Sequence, residues 1–270
     1  MSHPRDQHIV PEFLLKNFSS DGKKVWTFDK SAIKERWNNV KHRSISKTPT
    51  KEFIYDREKG VPNGSLEYKL RAIEDKSAPV VEKLIHSKSL IELTNSDKQI
   101  LSELIAFQFL RTEESQSNIS RIDRELNDFL KPHGINIKND IEELWLNSLD
   151  KAHDFSQHFL GKSWCLSAGK QEYFISDNPI VRNNSTNIQK HRGTLGVNSK
   201  GIEIYFPISS SLVLCLFCPK TFPYEDTVIP ATPECTTYLN WLQIRYSERF
   251  VFSQEKEFQL VYEMIKNGSL

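Results

Sequence analysis

The sequence has few cysteines and lacks long apolar runs, which excludes two broad classes of protein. Four cysteines in 270 residues are too few for a disulfide scaffold. No apolar run approaches the roughly 18 residues that a membrane span needs. Residues 1–13 contain no apolar stretch of the kind found in a signal peptide. We therefore expect a cytoplasmic protein that is neither exported nor inserted into a membrane.

The chain also lacks an excess of charge of either sign. It carries 36 Lys and Arg residues against 35 Asp and Glu residues, a net charge of +1. This balance gives no compositional support for nucleic-acid or nucleotide binding, although a local basic patch is compatible with it. Residues 30–51 are the most basic stretch and show no periodicity, so we expect an irregular, largely exposed segment. A solvated loop is the simpler interpretation, and a surface for an anionic ligand is the alternative.

Familiar catalytic and metal-binding signatures are missing. The sequence has no Gly-rich phosphate loop, no G-x-S-x-G elbow, no H-E-x-x-H helix and no internal repeat. Cys215 and Cys218 have the C-x-x-C spacing, but no second pair or adjacent histidine completes a zinc set. Free cysteine is among the residue types most often buried, so we expect these two and Cys165 to be core thiols without disulfide or zinc.

The strongest local signal is a helix over residues 94–112. Thr94 and Asp97 have the spacing of a capping box at its start. The last turns are apolar on nearly every side, and Gln108 and Arg111 fall within the apolar arc. A buried guanidinium requires a partner, because an unpaired charge away from water is costly. We therefore predict that Arg111 is mostly buried and contacts at least one of three carboxylates: Glu67, Glu74 or Asp177.

The remaining patterns predict an α+β fold, with a helical middle at about 65–161 packed on a mostly antiparallel β-sheet at about 163–253, in a single domain spanning 1–270. Predicted helices include one from residue 66 that breaks or restarts at Pro79, one at 119–130 and one at 140–160. Short links predict that four strands form one antiparallel meander. These strands cover residues 164–168, 172–175, 202–207 and 212–218.

Several polar motifs together resemble a known bacterial family. They are QHIVPEFLLKNF at 7–18, FQFLRT at 107–112, FISDNPI at 174–180 and NWLQIRYSERFVF at 240–252. In this order they resemble domain-of-unknown-function family 4238 over nearly the whole chain. The resemblance implies one domain and brings no settled activity, cofactor or partner. The candidate residues that it implies match the family's polar positions: His8, Glu67, Glu74, Gln108, Arg111, Asp177 and Asn178.

Two functions are compatible with these residues. In the first, Arg111 grips an anion, His8 transfers protons, and Asp177 with a glutamate holds a divalent metal ion or orients water. Gln108 and Asn178 would bind substrate, with Glu67 and Glu74 in support, and metal-assisted phosphodiester or phosphate-ester hydrolysis is the matching reaction class. In the second, the protein is a non-catalytic binding or sensor domain in which the same residues form a structural ion network.

Overall fold

A computed structural model describes residues 6–34, 39–48, 50–52, 66–186 and 195–270. Within these ranges the helices are α1 (Glu12–Lys16), α2 (Leu66–Ser87), α3 (Asn95–Leu110), α4 (Glu113–Leu130), α5 (Ile141–Asp150), α6 (Ala152–Leu160), α7 (Pro233–Tyr246) and α8 (Gln259–Lys266). The strands are β1 (Asp6–His8), β2 (Lys24–Asp29), β3 (Val40–Ser44), β4 (Thr50–Glu52), β5 (Ser163–Ala168), β6 (Ile175–Ser176), β7 (Val181–Asn183), β8 (Glu203–Ser209), β9 (Leu212–Phe217), β10 (Thr227–Pro230) and β11 (Phe250–Ser253). The α+β class predicted from the sequence is confirmed.

The strands form two larger sheets and one small ladder. The five-stranded sheet has the order β10-β5-β9-β8-β7 and is antiparallel except between β10 and β5. The four-stranded sheet has the order β3-β2-β11-β6 and is antiparallel throughout. β1 and β4 pair antiparallel beside the amino-terminal end of α1. Both larger sheets therefore join strands that lie far apart in the sequence.

The predicted four-stranded meander is wrong. β8 and β9 pair antiparallel as expected, but β5 pairs with β9 and not with the strand that follows it in the sequence. The run at 172–175 supplies only the short strand β6, and β6 belongs to the other sheet. Side chains of α7 explain the difference. Asn240 accepts the Phe174 amide at 2.8 Å, and Gln243 accepts the Ser176 amide at 3.0 Å. These amides are satisfied by a helix, so the segment does not need a strand neighbour there.

Two helix boundaries also differ from the prediction. α2 continues through Pro79. The proline removes one helical hydrogen bond, but the turns that follow are stabilised by the core contacts of Val81 and Leu84. The predicted helix at 140–160 is instead two helices, which meet at Lys151, where the backbone leaves the helical conformation. The apolar spacing continues across that break, so periodicity alone does not reveal it.

Residues 30–51 are more regular than predicted. The segment contains β3 and a 3₁₀ turn, Ile45–Lys47, and Ile45 is buried. β3 pairs with β2 along its whole length, although Lys41 and His42 are exposed. An edge strand of polar residues lacks the alternation that marks a half-buried strand, so its sequence resembles a loop. Residues 35–38 and 49 of this segment lie outside the described residues.

The helical layer packs around α3. Leu101, Leu104 and Ile105 of α3 are buried, and Thr94 and Asp97 form the predicted capping box. All four cysteines are free thiols, and the three expected in the core are buried. In the part of the chain that the structure describes, no helix is long and apolar enough to cross a membrane.

The connection before β8 depends on a glycine. Gly201 has a φ of +80°, and a Cβ atom there would collide with the Thr186 hydroxyl and approach Asn184 Oδ1 to 2.7 Å. We expect Gly201→Ala to lower the free energy of unfolding by about 1 to 3 kcal/mol, measured by urea denaturation. Gly22→Ala is the matched control, since Gly22 has a φ of +67° with nothing within 4 Å. Equal losses in the two variants would show that the collision has no effect.

Candidate functional site

A pocket of about 350 Å³ lies between α1, α2 and the carboxyl end of α3. Its charged and titratable lining includes His8, Glu12, Lys16, Arg71, Glu74 and Arg111. The pocket thus combines an imidazole, cations and carboxylates from three helices and the segment that precedes them. Three of the candidates taken from the sequence, His8, Glu74 and Arg111, meet here.

Arg111 lies at the bottom of this arrangement and is 3% exposed. Its Nη1 donates to Glu74 Oε1 at 2.7 Å, and its Nη2 donates to the carbonyl of His8. Glu74 is 24% exposed, so the ion pair is enclosed on the arginine side and reaches the pocket on the carboxylate side. The predicted burial and carboxylate contact of Arg111 are confirmed. The planar guanidinium suits this double role, because it donates in two directions at once.

Gln108 binds the backbone carbonyl that follows the one bound by Arg111. It is buried one turn before Arg111, and its Nε2 donates to the carbonyl of Ile9 at 3.0 Å. α3 therefore holds two consecutive carbonyls of the amino-terminal segment. Gln108 does not line the pocket, so its role here is to fix the segment that carries His8.

His8 is half-buried and its ring faces several groups. Nε2 lies 3.3 Å from Glu12 Oε1, outside hydrogen-bonding geometry, and has no hydrogen-bond partner among the described residues. The Ile45 backbone lies near enough to the ring to influence its pKa. Burial lowers the pKa of His8 below its usual value of 6.5, while the Glu12 carboxylate and the Ile45 backbone act in the opposite direction. The net shift favours the neutral imidazole.

Asp177 is not part of the pocket. Its two carboxylate oxygens accept the amides of Glu248, Arg249 and Phe250 at 2.8 to 2.9 Å. Burial raises the pKa of Asp177 to about 6, and the three amide hydrogen bonds oppose this shift. Of the three carboxylates predicted as possible partners of Arg111, Glu74 makes the contact and Asp177 does not, because the Asp177 carboxylate anchors the chain where it enters β11.

Asn178 also lies away from the pocket that contains His8. Its Nδ2 donates to Glu114 at 2.6 Å and to the carbonyl of Tyr246 at 3.0 Å. Glu114 in turn pairs with Arg182 at 3.0 Å. Asn178 thus joins the start of α4 to the end of α7, which is a structural role. The side chain of Glu67 lies outside the described residues.

Sequence reasoning missed Glu12, Lys16 and Arg71. Glu12 stands four residues after His8, a spacing that signals contact only within a helix, whereas His8 belongs to a strand and α1 begins at Glu12. Lys16 and Arg71 are exposed cations on helices and carry no local signal of a site. In the ranges that the structure describes, no group of three or more His, Cys, Asp or Glu side chains is arranged to hold a metal ion.

The amide contacts of Asp177 predict a structural effect. Asp177→Asn replaces one acceptor oxygen by an NH₂ group that faces a backbone donor, so at least one buried amide loses its partner. We expect the free energy of unfolding to fall by about 1 to 3 kcal/mol in urea denaturation. Asp21 is the matched control, since it also accepts two backbone amides but is exposed, and Asp21→Asn should change stability less. An unchanged Asp177→Asn protein would contradict this role.

Comparison with known proteins gives one match. The family model described as "Protein of unknown function (DUF4238)" matches residues 6–257. No curated protein and no solved structure matches the chain. The matched range covers nearly the whole sequence and includes His8, Glu74, Arg111 and the segment 176–178. The chain therefore belongs to the DUF4238 family.

Proposed function

We propose that the pocket is the active site of a cytoplasmic phosphate-ester or phosphodiester hydrolase in which His8 transfers the proton. One observation carries the proposal. His8 Nε2 is a buried ring nitrogen without a hydrogen-bond partner among the described residues, and it belongs to a pocket that also presents Lys16 and Arg71. An unpartnered nitrogen of a neutral imidazole is suited to accept a proton.

The surroundings of the ring support a base. Burial lowers the pKa of His8 and so favours the neutral imidazole, which carries a lone pair on one ring nitrogen.

In the proposed reaction, a water molecule loses a proton to His8 Nε2 as its oxygen attacks phosphorus. The bond from phosphorus to the ester oxygen breaks, and the imidazolium returns the proton to that leaving oxygen. Lys16 and Arg71 contact the phosphate oxygens and offset their negative charge. Arg111 and Glu74 position His8 through its carbonyl and do not themselves touch the substrate.

The divalent metal ion expected from the sequence stays a prediction. The described residues supply no three-ligand group, so no metal ligand is assigned. Carboxylates of Glu12, Glu74 and Asp75 line the pocket and would attract a cation already bound to a substrate phosphate. Assays with Mg²⁺ and with a chelator therefore belong in the test.

The second candidate function is a non-catalytic binding or sensor domain. It is favoured by the state of Arg111, whose guanidinium is buried and already bonded to Glu74 and to the His8 carbonyl. Such a closed pair is typical of a structural network. In this case the pocket would bind an anion without turnover, and Lys16 and Arg71 would supply the affinity.

The two candidates differ in what His8 and Arg111 do. With p-nitrophenyl phosphate and bis(p-nitrophenyl) phosphate as substrates, His8→Gln should reduce kcat by about 100-fold or more, the usual contribution of a proton-transfer group, without a change in Tm.

Arg111→Ala should lower the free energy of unfolding by about 3 to 5 kcal/mol, because it leaves Glu74 unpaired. Arg111→Lys should not restore stability, since an ammonium cannot reproduce both directed bonds.

The exposed His133 supplies the control for these variants. His133→Gln should leave both kcat and Tm unchanged. A wild-type protein that hydrolyses neither ester, with Mg²⁺ or with chelator, but binds inorganic phosphate would favour the binding domain. Full activity in His8→Gln would remove His8 from the mechanism.

The surroundings of His8 predict the pH dependence. Its lowered pKa predicts that kcat/KM falls on the acid side with a midpoint below 6.5, because protonation removes the lone pair. Glu12 raises the pKa of His8, so Glu12→Gln should move this midpoint to a lower pH. The exposed Glu142 is the control, and Glu142→Gln should not move it. A shift to higher pH in Glu12→Gln would contradict the assignment.

A further inference from the structure

The helix α4 carries an apolar stripe that is largely exposed. Ile119, Ile122, Leu126 and Phe129 recur at the three- and four-residue spacing of one helix face, and we call these four residues the α4 stripe. Ile122 is 58% exposed, Leu126 43% and Phe129 70%. No residue of α4 is buried, whereas α3 and α5 each bury at least three residues. A continuous apolar stripe on an exposed helix typically marks an interaction surface.

The two edges of the α4 stripe differ. Along one edge the chain folds back against α4, where Asn127 Oδ1 accepts the Ile137 amide at 2.9 Å. The other edge carries Arg121 and Glu125, whose side chains are partly exposed and lie 3.3 Å apart. A partner helix therefore reaches the stripe from the side of Arg121 and Glu125, where it meets one charge of each sign.

A cavity of about 480 Å³ lies beside the first half of the α4 stripe. Its apolar wall comes from two helices and one loop: Phe109, Leu110, Ile119, Ile122 and Leu195. Arg182 and Glu114 line another part of the cavity and are paired with each other at 3.0 Å. An apolar cavity of roughly 150 Å³ already holds a benzene ring, so this one has room for an aromatic side chain.

Phe129 is the aromatic side chain that such a cavity would receive. It is the most exposed Phe, Tyr or Trp residue of the described structure. It lies about 15 Å after Ile119 along the same helix face, because each residue of a helix adds about 1.5 Å. The ring and the cavity therefore occupy opposite ends of one stripe.

We propose that α4 forms the interface of a homodimer, in which two copies of the helix pack antiparallel and Phe129 of each copy enters the cavity of the other. A two-fold axis between Ile122 and Leu126 reverses the helix and places Phe129 of one copy opposite Ile119 of the second. Each copy then supplies one ring and one cavity. Such self-complementarity is the property of an isologous dimer interface.

The charged edge fits the same arrangement. Arg121 and Glu125 lie at nearly equal distances from the two-fold axis on opposite sides of it, so Arg121 of one copy faces Glu125 of the second. A parallel pair would instead bring residues of the same number to one level, with Arg121 beside Arg121. Charge thus favours the antiparallel orientation. The interface does not rest on the proposed function, because none of the described residues that line the pocket with His8 belongs to α4.

Sedimentation velocity of the full chain at increasing concentration tests the dimer. A single pair of helices makes a small interface, so we expect a dissociation constant on the order of micromolar. Phe129→Ala should raise this constant by about 30-fold or more, because the dimer loses a buried aromatic anchor from each copy. Tyr224→Ala is the matched control, since Tyr224 is an aromatic residue outside α4 that is 55% exposed, and this variant should dimerise like the wild type.

Charge reversal tests the orientation. Arg121→Glu and Glu125→Arg should each weaken self-association by about tenfold or more, because each places like charges opposite one another at two contacts of the dimer. An equimolar mixture of these two variants should dimerise again, since both contacts then join opposite charges. Arg124 is exposed on the face of α4 opposite to the stripe, so Arg124→Glu is the control and should dimerise like the wild type.

Each outcome decides the inference. A wild type that stays monomeric well above micromolar concentration, or a Phe129→Ala protein that dimerises like the wild type, would overturn it. A loss in Tyr224→Ala equal to that in Phe129→Ala would show only general apolar association and would also overturn it. Single charge variants that dimerise like the wild type, or a mixture that stays monomeric, would overturn the antiparallel pairing. Circular dichroism should show that each variant is folded, since none of the substituted residues is buried.

Discussion

The burial of one guanidinium is the constraint on which the helical layer and the pocket depend. Arg111 lies at the end of an apolar helix and must be paired, because a lone charge in that position is costly. The pairing uses Glu74 from α2 and a backbone carbonyl from the amino-terminal segment. Three parts of the chain that are distant in sequence are therefore fixed to one another at this point, and His8 is held at the pocket by its own main chain.

The second sheet depends on a related principle, in which polar side chains replace strand neighbours. Asn240 and Gln243 of α7 accept the amides of Phe174 and Ser176, and Gln243 also donates to the carbonyl of Pro179 at 3.0 Å. Asp177 accepts three amides at the start of β11. Buried backbone groups must be paired, and here side chains supply the partners that a regular ladder would provide. The polar turn at 176–178 thus holds α7 and β11 together.

The sequence by itself determined the α+β class, the capped central helix, the buried cysteines and the burial of Arg111 with a carboxylate partner. These features follow from periodicity and from the cost of unpaired charge, which act locally. Tertiary structure alone decided that Glu74 is that partner, that Glu12 faces His8 and that Asp177 anchors β11 instead of joining the pocket. It also diverted the 172–175 segment to the second sheet. These outcomes depend on which groups lie close together once the chain is folded. The spacing of residues along the sequence does not encode those distances.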